Sequence, residues 1–258
     1  MKKNIIITGG NGQDAKILSQ AIKKYNINLL IRKKDKFLKQ KKNITYSKVN
    51  LLNYKSTLKY IRKKNPYAII HLASKNSSAN KKIQNYNLDY RNNFLMTKNL
   101  ILALKNYNRK IRFIFAGSSL MFKKKNGIVN EKSRFKATCL YSKYKINSYN
   151  LLIKYKRENK LDACTVILFN HDSIYRNKKF LLPRIVKYLK KKNYNKINEI
   201  FKENVYGDFS HAEDICNGMT KLIELKKMPD KIILSSFKLS SINKLIKYGL
   251  NFYKYKIN

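Results

Sequence analysis

Short apolar runs alternate with amphipathic segments along most of the chain. Asn4–Thr8 is a β-branched run typical of a buried strand, and from Asp14 onward apolar residues recur at the spacing of a helix. Further strands are predicted at INLLI, NITYSKV, YAIIHLA and IRFIFAGSS, and further helices at YKSTLKYIRKK, YRNNFLMTKNLILALKNY, YSKYKINSYNLLIKYKREN and SSINKLIKYGLNFY. Strands that alternate with helices predict an α/β fold, a doubly wound parallel sheet of the Rossmann type that binds ligands at the carboxyl ends of its strands.

A glycine-rich turn, GGNG, connects the first strand to the first helix. Gly9 allows a tight turn, Gly12 lets the backbone approach a pyrophosphate, and Ala15 is small enough for the helix to pack closely on the strand. The turn therefore predicts a dinucleotide site, and the alternative is a plain strand-to-helix connection with the same pattern.

The end of the second strand indicates which dinucleotide to expect. Arg32 follows INLLI directly. An acidic residue there would bind the ribose 2′-hydroxyl of NAD, whereas a basic residue accommodates the 2′-phosphate of NADP. We therefore expect NADP as the cofactor, with NAD as the alternative.

Composition excludes several classes of function. The 58 basic residues include only 9 arginines, and the lysines are spread along the whole chain, so the formal net charge of +44 predicts a solvated lysine surface and no dedicated nucleic-acid site. No apolar stretch is long enough to cross a membrane, which predicts a cytoplasmic protein without a membrane partner. Cys139, Cys164 and Cys216 lie far apart without a matching histidine cluster, so we expect reduced thiols and no metal site.

Candidate catalytic side chains follow the fifth predicted strand. Ser118 and Ser119 lie at its end, and Tyr141 and Lys145 are four residues apart, on one face of the next helix. An ammonium group beside a phenol favours the phenolate, so we expect Lys145 to lower the pKa of Tyr141 and to let it exchange a hydroxyl proton near neutral pH. Ser118 would hydrogen-bond the same substrate oxygen.

Five motifs give the chain a specific resemblance. ITGGNGQDA resembles the ITGxxGQDG start of the GDP-mannose 4,6-dehydratase family, HLAS its loop after the fourth strand, and FKATCLYSKYK its FxPxSPYxxxK segment. ILFNHDS resembles its LFNHES motif, and GDFSHAEDI its RDWGHAKDY motif. The chain is thus similar, from residue 4 to about residue 216, to the extended short-chain dehydrogenases/reductases that act on nucleotide sugars.

The resemblance implies a hydride cycle on a nucleotide sugar, and a GDP-linked sugar is the expected substrate. Tyr141 would take the proton of the sugar's 4-hydroxyl while NADP accepts the hydride from C4. Lys145 would steer the nicotinamide ribose, and Ser118 would orient the oxygen. The 4-keto sugar would then lose water across C5 and C6, and the hydride would return to C6.

The resemblance also assigns binding residues. Substrate binding is expected at Ser119, Asn170 and Arg184, and the alternative for Asn170 is a strand-end cap. The residues expected at the cofactor are Gly9, Gly12, Gln13, Asp14, Arg32, Asn50, Leu51, Ala73, Tyr141 and Lys145.

A division of the chain into two parts is implied as well. Residues 1–168 and 208–226 are expected to form the dinucleotide-binding domain, and residues 169–207 and 227–258 a partial, shortened nucleotide-sugar-binding domain. A homodimer or larger homo-oligomer is implied because proteins of this superfamily pair through the helices on either side of the fifth strand. The apolar faces of these helices would equally suit packing on their own sheet.

Three substitutions depart from the family pattern. Leu120 stands where the family has the glutamate that does acid/base work at C5 and C6, and leucine cannot move a proton. Gly207 replaces an arginine, and Asn50 replaces the aspartate that holds the adenine. These departures favour two alternatives. One is a 4-keto-sugar nucleotide reductase or epimerase, which needs only the hydride-transfer residues, and the other is a degenerate NADP-binding protein without turnover.

Overall fold

The computed structural model describes residues 2–33, 42–75, 86–107, 110–122, 128–158, 160–203 and 205–253. Its strands are β1 (Asn4–Thr8), β2 (Asn26–Leu30), β3 (Ile44–Ser47), β4 (Ala68–His71), β5 (Arg112–Ala116), β6 (Asp162–Leu168), β7 (Asn170–Asp172), β8 (Tyr206–His211), β9 (Lys231–Leu234) and β10 (Leu239–Ser241). Its α-helices are α1 (Gln13–Ala21), α2 (Tyr54–Lys64), α3 (Tyr86–Lys105), α4 (Leu140–Arg157), α5 (Leu181–Lys190), α6 (Tyr194–Lys202), α7 (Ala212–Glu224) and α8 (Ile242–Phe252).

Seven parallel strands form the main sheet, in the order β3-β2-β1-β4-β5-β6-β9. The order reverses between β1 and β4, and such a switch point opens a crevice at the carboxyl ends of the strands. The predicted α/β fold with a doubly wound parallel sheet is therefore confirmed.

Apolar side chains cover both faces of this sheet. Ile5 and Ile7 of β1 point to one core and Ile6 to the other, and all three are almost completely buried. Helices α1 and α7 contribute to the first core, and α3 and α4 to the second. A strand that is buried on both faces requires the continuous apolar run found in the sequence, which explains why β1 could be predicted from it.

A smaller part of the molecule is built around a three-stranded sheet in the order β10-β8-β7. Helices α5, α6 and α8 enclose a separate apolar core there, which includes Ile185, Ile197 and Ile246. Lys231–Leu234 lies in the stretch 227–258 that was expected in the sugar-binding domain. Because β9 pairs with β6, these residues belong to the main sheet instead. The division into two domains otherwise stays a prediction.

Four further expectations concern the membrane, metal ions, the cysteines and the oligomeric state. Within the described segments, no helix combines the length and the apolar character that a membrane crossing requires. The described residues also contain no group of three or more His, Cys, Asp or Glu side chains that could hold a metal ion. All three cysteines are free thiols, and burial raises the pKa of Cys164 to about 12, which keeps that thiol un-ionised. The oligomeric state stays a prediction.

Candidate active site

A cleft of about 2540 Å³ follows the carboxyl ends of the main-sheet strands and extends to the three-stranded sheet. All predicted catalytic and cofactor residues line it, as do Ser119 and Asn170. Arg184, which the structure also describes, lies in α5 and is not part of the lining. The fold therefore brings together residues from most of the chain and leaves Arg184 outside.

The glycine turn has the shape that a dinucleotide site requires. Gly9 has a φ of 74°, and a Cβ atom there would come within 2.9 Å of the backbone nitrogen of Ala73. The N–H of Gly12 donates to the carbonyl of Gly9 at 2.8 Å, and Gly12 is the N-cap of α1. Because Gly12 has no side chain to cap the helix, the first N–H groups of α1 remain available to an anion in the cleft.

Replacing Gly9 by Ala is expected to lower the free energy of unfolding by about 2 kcal/mol, because the left-handed φ and the contact with the Ala73 backbone both disfavour a Cβ atom. Thermal unfolding would show a lower melting temperature. Gly12→Ala is the matched control, since Gly12 has a φ of −76° that any residue adopts, and its Cβ atom would meet the Gly9 carbonyl oxygen at 3.2 Å, a less severe contact than the one at Gly9. The explanation would be contradicted if Gly9→Ala melted at the same temperature as Gly12→Ala.

The side chains of Gln13 and Asp14 face the protein. The Gln13 amide donates to the carbonyl of His171 at 2.9 Å and accepts from the Ser173 hydroxyl at 3.0 Å. The Asp14 carboxylate lies 3.1 Å from Nε2 of His171. These contacts tie the start of α1 to β7, so the expected contact of Gln13 and Asp14 with a cofactor is left to their backbone.

His171 is surrounded by acceptors. Its Nδ1 lies 2.7 Å from the carbonyl oxygen of Phe169, and its Nε2 faces the Asp14 carboxylate. Both partners are hydrogen-bond acceptors, so the geometry favours the imidazolium, in which each ring nitrogen carries a proton. Burial alone would lower the pKa of His171, but the hydrogen bond and charge of Asp14, with the Phe169 carbonyl, outweigh it and raise the pKa.

The cofactor end of the cleft is formed after β2 and β3. Arg32 is exposed. Its backbone N–H donates to the side-chain oxygen of Asn11, and the side-chain amide of Asn11 donates to the backbone carbonyl of Lys33 at 2.9 Å. The Asn50 side-chain oxygen accepts the N–H of Leu52 at 3.0 Å. The Asn50 side-chain oxygen therefore stabilises its own turn, at the position where the resemblance implies an adenine-holding aspartate.

Tyr141 and Lys145 line the middle of the cleft with Ser118. Lys145 is almost completely buried, its Nζ donates to the carbonyl of Ala116 at 2.6 Å, and Nζ lies 5.5 Å from the Tyr141 ring centroid. Burial lowers the pKa of Lys145 to about 7. The helical spacing of the two residues thus places them side by side, as the sequence predicted.

The predicted direction of the Tyr141 pKa is wrong for the chain on its own. Burial raises the pKa of Tyr141 to about 12, and the nearby Ser74 hydroxyl and Arg176 guanidinium oppose the increase only in part. The cause is the desolvation of the phenolate, because the ring is packed against Tyr144 at a centroid distance of 5.8 Å. Tyr141 is therefore a neutral phenol near pH 7 and is suited first to donating a proton.

Below the cleft lies a buried row of hydrogen-bonded side chains that the sequence did not predict. The Thr8 hydroxyl accepts the N–H groups of Leu72 and Ala73, so its own proton must go to Nδ1 of His71 at 2.7 Å. His71 is then a neutral Nε2–H tautomer that donates to Thr97 at 2.9 Å. Burial lowers the pKa of His71 to about 3, in agreement with a neutral ring.

This row of side chains fixes the loop after β4, where Ala73 and Ser74 line the cleft. The sequence contained only part of a signal for it, because Thr8 and His71 are polar residues in two predicted apolar strands. The parallel pairing that brings them into register is visible only in the structure. Polar residues at the same height of adjacent strands indicate a contact that spacing within one segment cannot reveal.

Arg176 is a cleft residue that the sequence did not suggest. Its Nε lies 3.1 Å from Asp172, and its guanidinium lies 3.8 Å from the Phe180 ring centroid. Its positive charge lies close enough to Tyr141 to offset part of the increase that burial causes in the pKa of the phenol. No periodic pattern marks it, because it lies in the irregular segment between β7 and α5.

The departures from the family pattern also lie at the cleft. Leu120 is half-buried in the lining, next to Ser118, whose hydroxyl accepts the Leu120 N–H at 3.3 Å. A Cβ atom on Gly207 would lie 3.0 Å from the Asn170 amide nitrogen, so a larger residue would require Asn170 to shift. The cleft therefore presents an apolar side chain beside Ser118 and bare backbone beside Asn170.

Comparisons with known proteins agree with this architecture. The family model described as GDP-mannose 4,6 dehydratase matches residues 6–257. GDP-mannose 4,6 dehydratase 1 of Arabidopsis thaliana is 25% identical over 254 residues, which cover 90% of this chain and 70% of the relative. GDP-mannose 4,6 dehydratase of Dictyostelium discoideum is 22% identical over 268 residues, covering 95% of this chain and 74% of the relative.

Solved structures share the fold at lower identity. UDP-glucuronic acid 4-epimerase from Bacillus cereus, in complex with UDP-glucuronic acid and NAD, superposes with a TM-score of 0.84 and 17% identity and covers 99% of this chain and 84% of its own. dTDP-glucose 4,6-dehydratase from Bacillus anthracis, in complex with NAD, gives a TM-score of 0.82 and 15% identity, with coverage of 98% and 82%.

Proposed function

The chain belongs to the GDP-mannose 4,6-dehydratase family of extended short-chain dehydrogenases/reductases, and we propose that it is an NADP-dependent enzyme that transfers hydride at C4 of a nucleotide sugar. The observation that carries the proposal is the convergence of Ser118, Tyr141 and Lys145 on the cleft that begins at the glycine turn. A GDP-linked sugar is the substrate we infer, because the curated relatives are named for GDP-mannose.

The residues present fit a nicotinamide dinucleotide. The uncapped start of α1 offers N–H groups to a pyrophosphate, and Gly9 leaves no room for a side chain where the turn meets Ala73. Arg32 would hold the 2′-phosphate, with Leu51 and Ala73 beside the cofactor. When bound, NADP⁺ would accept the hydride and NADPH would return it.

Tyr141 would move the proton at the 4-oxygen of the sugar. Because burial raises its pKa to about 12, the protonated phenol is the resting form, and it donates to the oxygen of a 4-ketone as that oxygen gains charge. Ser118 would hold the same oxygen by a hydrogen bond. Lys145, fixed by the carbonyl of Ala116, would orient the nicotinamide ribose. Ser119 and Asn170 would bind the substrate.

A second candidate is a 4-keto-sugar nucleotide reductase or epimerase. The observation that favours it is Leu120, an apolar side chain at the position where elimination of water requires a proton carrier. Ketone reduction needs only the Tyr141 proton and the hydride. The resting protonation state of Tyr141 supports the same direction of chemistry.

Two incubations test these functions. The protein would be incubated with GDP-mannose and NADP⁺, and mass spectrometry would look for the loss of one water, with Tyr141→Phe as the control. A second incubation would supply NADPH and a GDP-linked 4-keto-6-deoxy sugar and would follow NADPH oxidation. Water loss supports the dehydratase, and NADPH oxidation alone supports the reductase. Cofactor binding without either reaction would contradict the dehydratase and the reductase. It would leave an epimerase, which changes neither the mass of the sugar nucleotide nor the net amount of NADPH, or a degenerate NADP-binding protein.

Arg32→Ser is expected to weaken NADP binding by roughly 10- to 100-fold and to change NAD binding only slightly, because the guanidinium would pair with the 2′-phosphate alone. Titration calorimetry with both cofactors measures this. Lys33→Ser is the matched control, since Lys33 is also exposed and contributes its carbonyl to the contact with Asn11. An equal loss of affinity for both cofactors would argue against the NADP assignment.

A further inference from the structure

Several exposed apolar side chains line the part of the cleft next to the three-stranded sheet. Ile174, Phe237 and Leu239 are 91%, 82% and 77% exposed, and all three line the cleft. Tyr206 of β8 is also exposed and lines the cleft. Large apolar groups that line a cleft in a strongly basic protein indicate a binding surface for an apolar or aromatic group.

Phe237 is held in this position by its backbone. It has a φ of 56°, a left-handed conformation that is unfavourable for a bulky residue and that usually persists only where the surroundings enforce it. The Ser236 N–H donates to Asp208 at 2.9 Å, and the Lys238 N–H donates to the Ser236 hydroxyl at 3.2 Å. The turn therefore keeps an aromatic ring in solvent at the edge of the cleft, although glycine would fit the backbone better.

The sheet order separates this ring from the cofactor end of the cleft. Phe237 follows β9, at one edge of the main sheet, whereas Arg32 and Asn50 follow β2 and β3 at the opposite edge. Ser118 follows β5, two strands from β9, which is about 10 Å at the usual strand spacing. A ligand that places a sugar at Ser118 and extends away from the cofactor would reach the turn after β9 with its far end.

The chemistry at this end suits a nucleotide. Lys238 lies next to Phe237 and also lines the cleft, as does Lys178. An aromatic face beside cations is the combination with which proteins bind a base together with its phosphates. We propose that Phe237 is the platform on which the nucleobase of the nucleotide sugar stacks, an inference that rests on the proposed function for the identity of its ligand.

Direct binding of GDP tests the proposal without turnover. Phe237→Ala is expected to weaken GDP binding in titration calorimetry by about 5- to 100-fold, the range for loss of one base-aromatic stack. Inorganic pyrophosphate, which has no base, should bind the variant and the wild type equally, and NADP affinity should not change. Phe237→Trp should retain GDP affinity, since it retains an aromatic face.

Two further variants exclude structural explanations. Phe252→Ala removes an equally exposed phenylalanine, 79% accessible and outside the cleft, and should leave GDP binding unchanged. Phe237→Gly relieves the left-handed backbone, so its melting temperature should equal or exceed that of the wild type while GDP binding weakens as in Phe237→Ala.

Several results would overturn the proposal. One is an unchanged GDP affinity in Phe237→Ala. If the wild type also turns over a nucleotide sugar, the proposed function would still stand. Another is a wild type that binds no GDP. A third is a Phe237→Ala variant that changes only the oligomeric state in analytical ultracentrifugation, because the ring would then belong to a contact between copies. Phe237-dependent GDP binding without turnover would uphold the proposal and contradict the proposed function.

Discussion

Tyr141→Phe is expected to lower the rate of hydride transfer by about 10²- to 10⁴-fold, because the change removes only the hydroxyl that would donate the proton to the sugar oxygen. The ring of the variant can still pack edge-on against Tyr144 at the observed 5.8 Å, so the fold should be kept. The measurement is turnover of whichever nucleotide sugar the wild type converts, together with the affinity for NADP. We expect the affinity for NADP to change far less than the rate.

Tyr144→Phe is the control for this prediction. Tyr144 packs edge-on against Tyr141, but it is completely buried and does not line the cleft. Its loss of a hydroxyl should therefore alter turnover by no more than a few fold. If Tyr141→Phe and Tyr144→Phe reduced the rate equally, or if Tyr141→Phe retained full activity, Tyr141 would not be the acid.

His171→Leu is expected to lower the free energy of unfolding by about 3–5 kcal/mol, because it leaves the Asp14 carboxylate without its cation. The two side chains are only 8% and 16% exposed, so water screens the ion pair little. The melting temperature should fall by roughly 6–20 °C for a chain of this size. Thermal and urea unfolding would both measure the effect.

The same ion pair predicts a pH dependence. The pKa of His171 in the folded chain is raised above 6.5, its ordinary value, so the folded state holds the proton to a higher pH than the unfolded state does. The stabilisation is complete below about pH 6.5 and is lost as the pH rises through the folded pKa. We expect the stability difference between the wild type and His171→Leu to shrink as the pH rises above that value, because Lys145, whose pKa burial lowers to about 7, contributes equally to both proteins and cancels in the difference.

A surface ion pair provides the comparison. Lys24 and Glu224 lie 3.4 Å apart but are 79% and 49% exposed, so Lys24→Ala should change the free energy of unfolding by less than about 1 kcal/mol. Similar losses in Lys24→Ala and His171→Leu, or an unchanged pH profile in His171→Leu, would mean that the His171–Asp14 contact does not tie α1 to β7 as an ion pair.

The sequence by itself determined five of the seven strands of the main sheet, β1 to β5, and the positions of their ligand-binding ends, whereas β6 and β9 were not predicted from it. The β-branched run of β1, buried on both faces, and the alternation with helices suffice because local periodicity follows directly from how strands and helices bury their side chains. The turn at Gly9 was predictable for the same local reason, and the spacing of Tyr141 and Lys145 follows from one turn of α4.

Only the tertiary structure decided what these residues contact. The pairing of Asp14 with His171 joins groups that are 157 positions apart, and Arg176 reaches the cleft from an irregular segment. The pKa of Tyr141 rises instead of falling because desolvation depends on everything packed around the ring, not on the lysine one turn away. Spacing along a chain determines which side chains share an element, whereas burial, charge pairing and protonation depend on contacts between elements, and these exist only once the chain is folded.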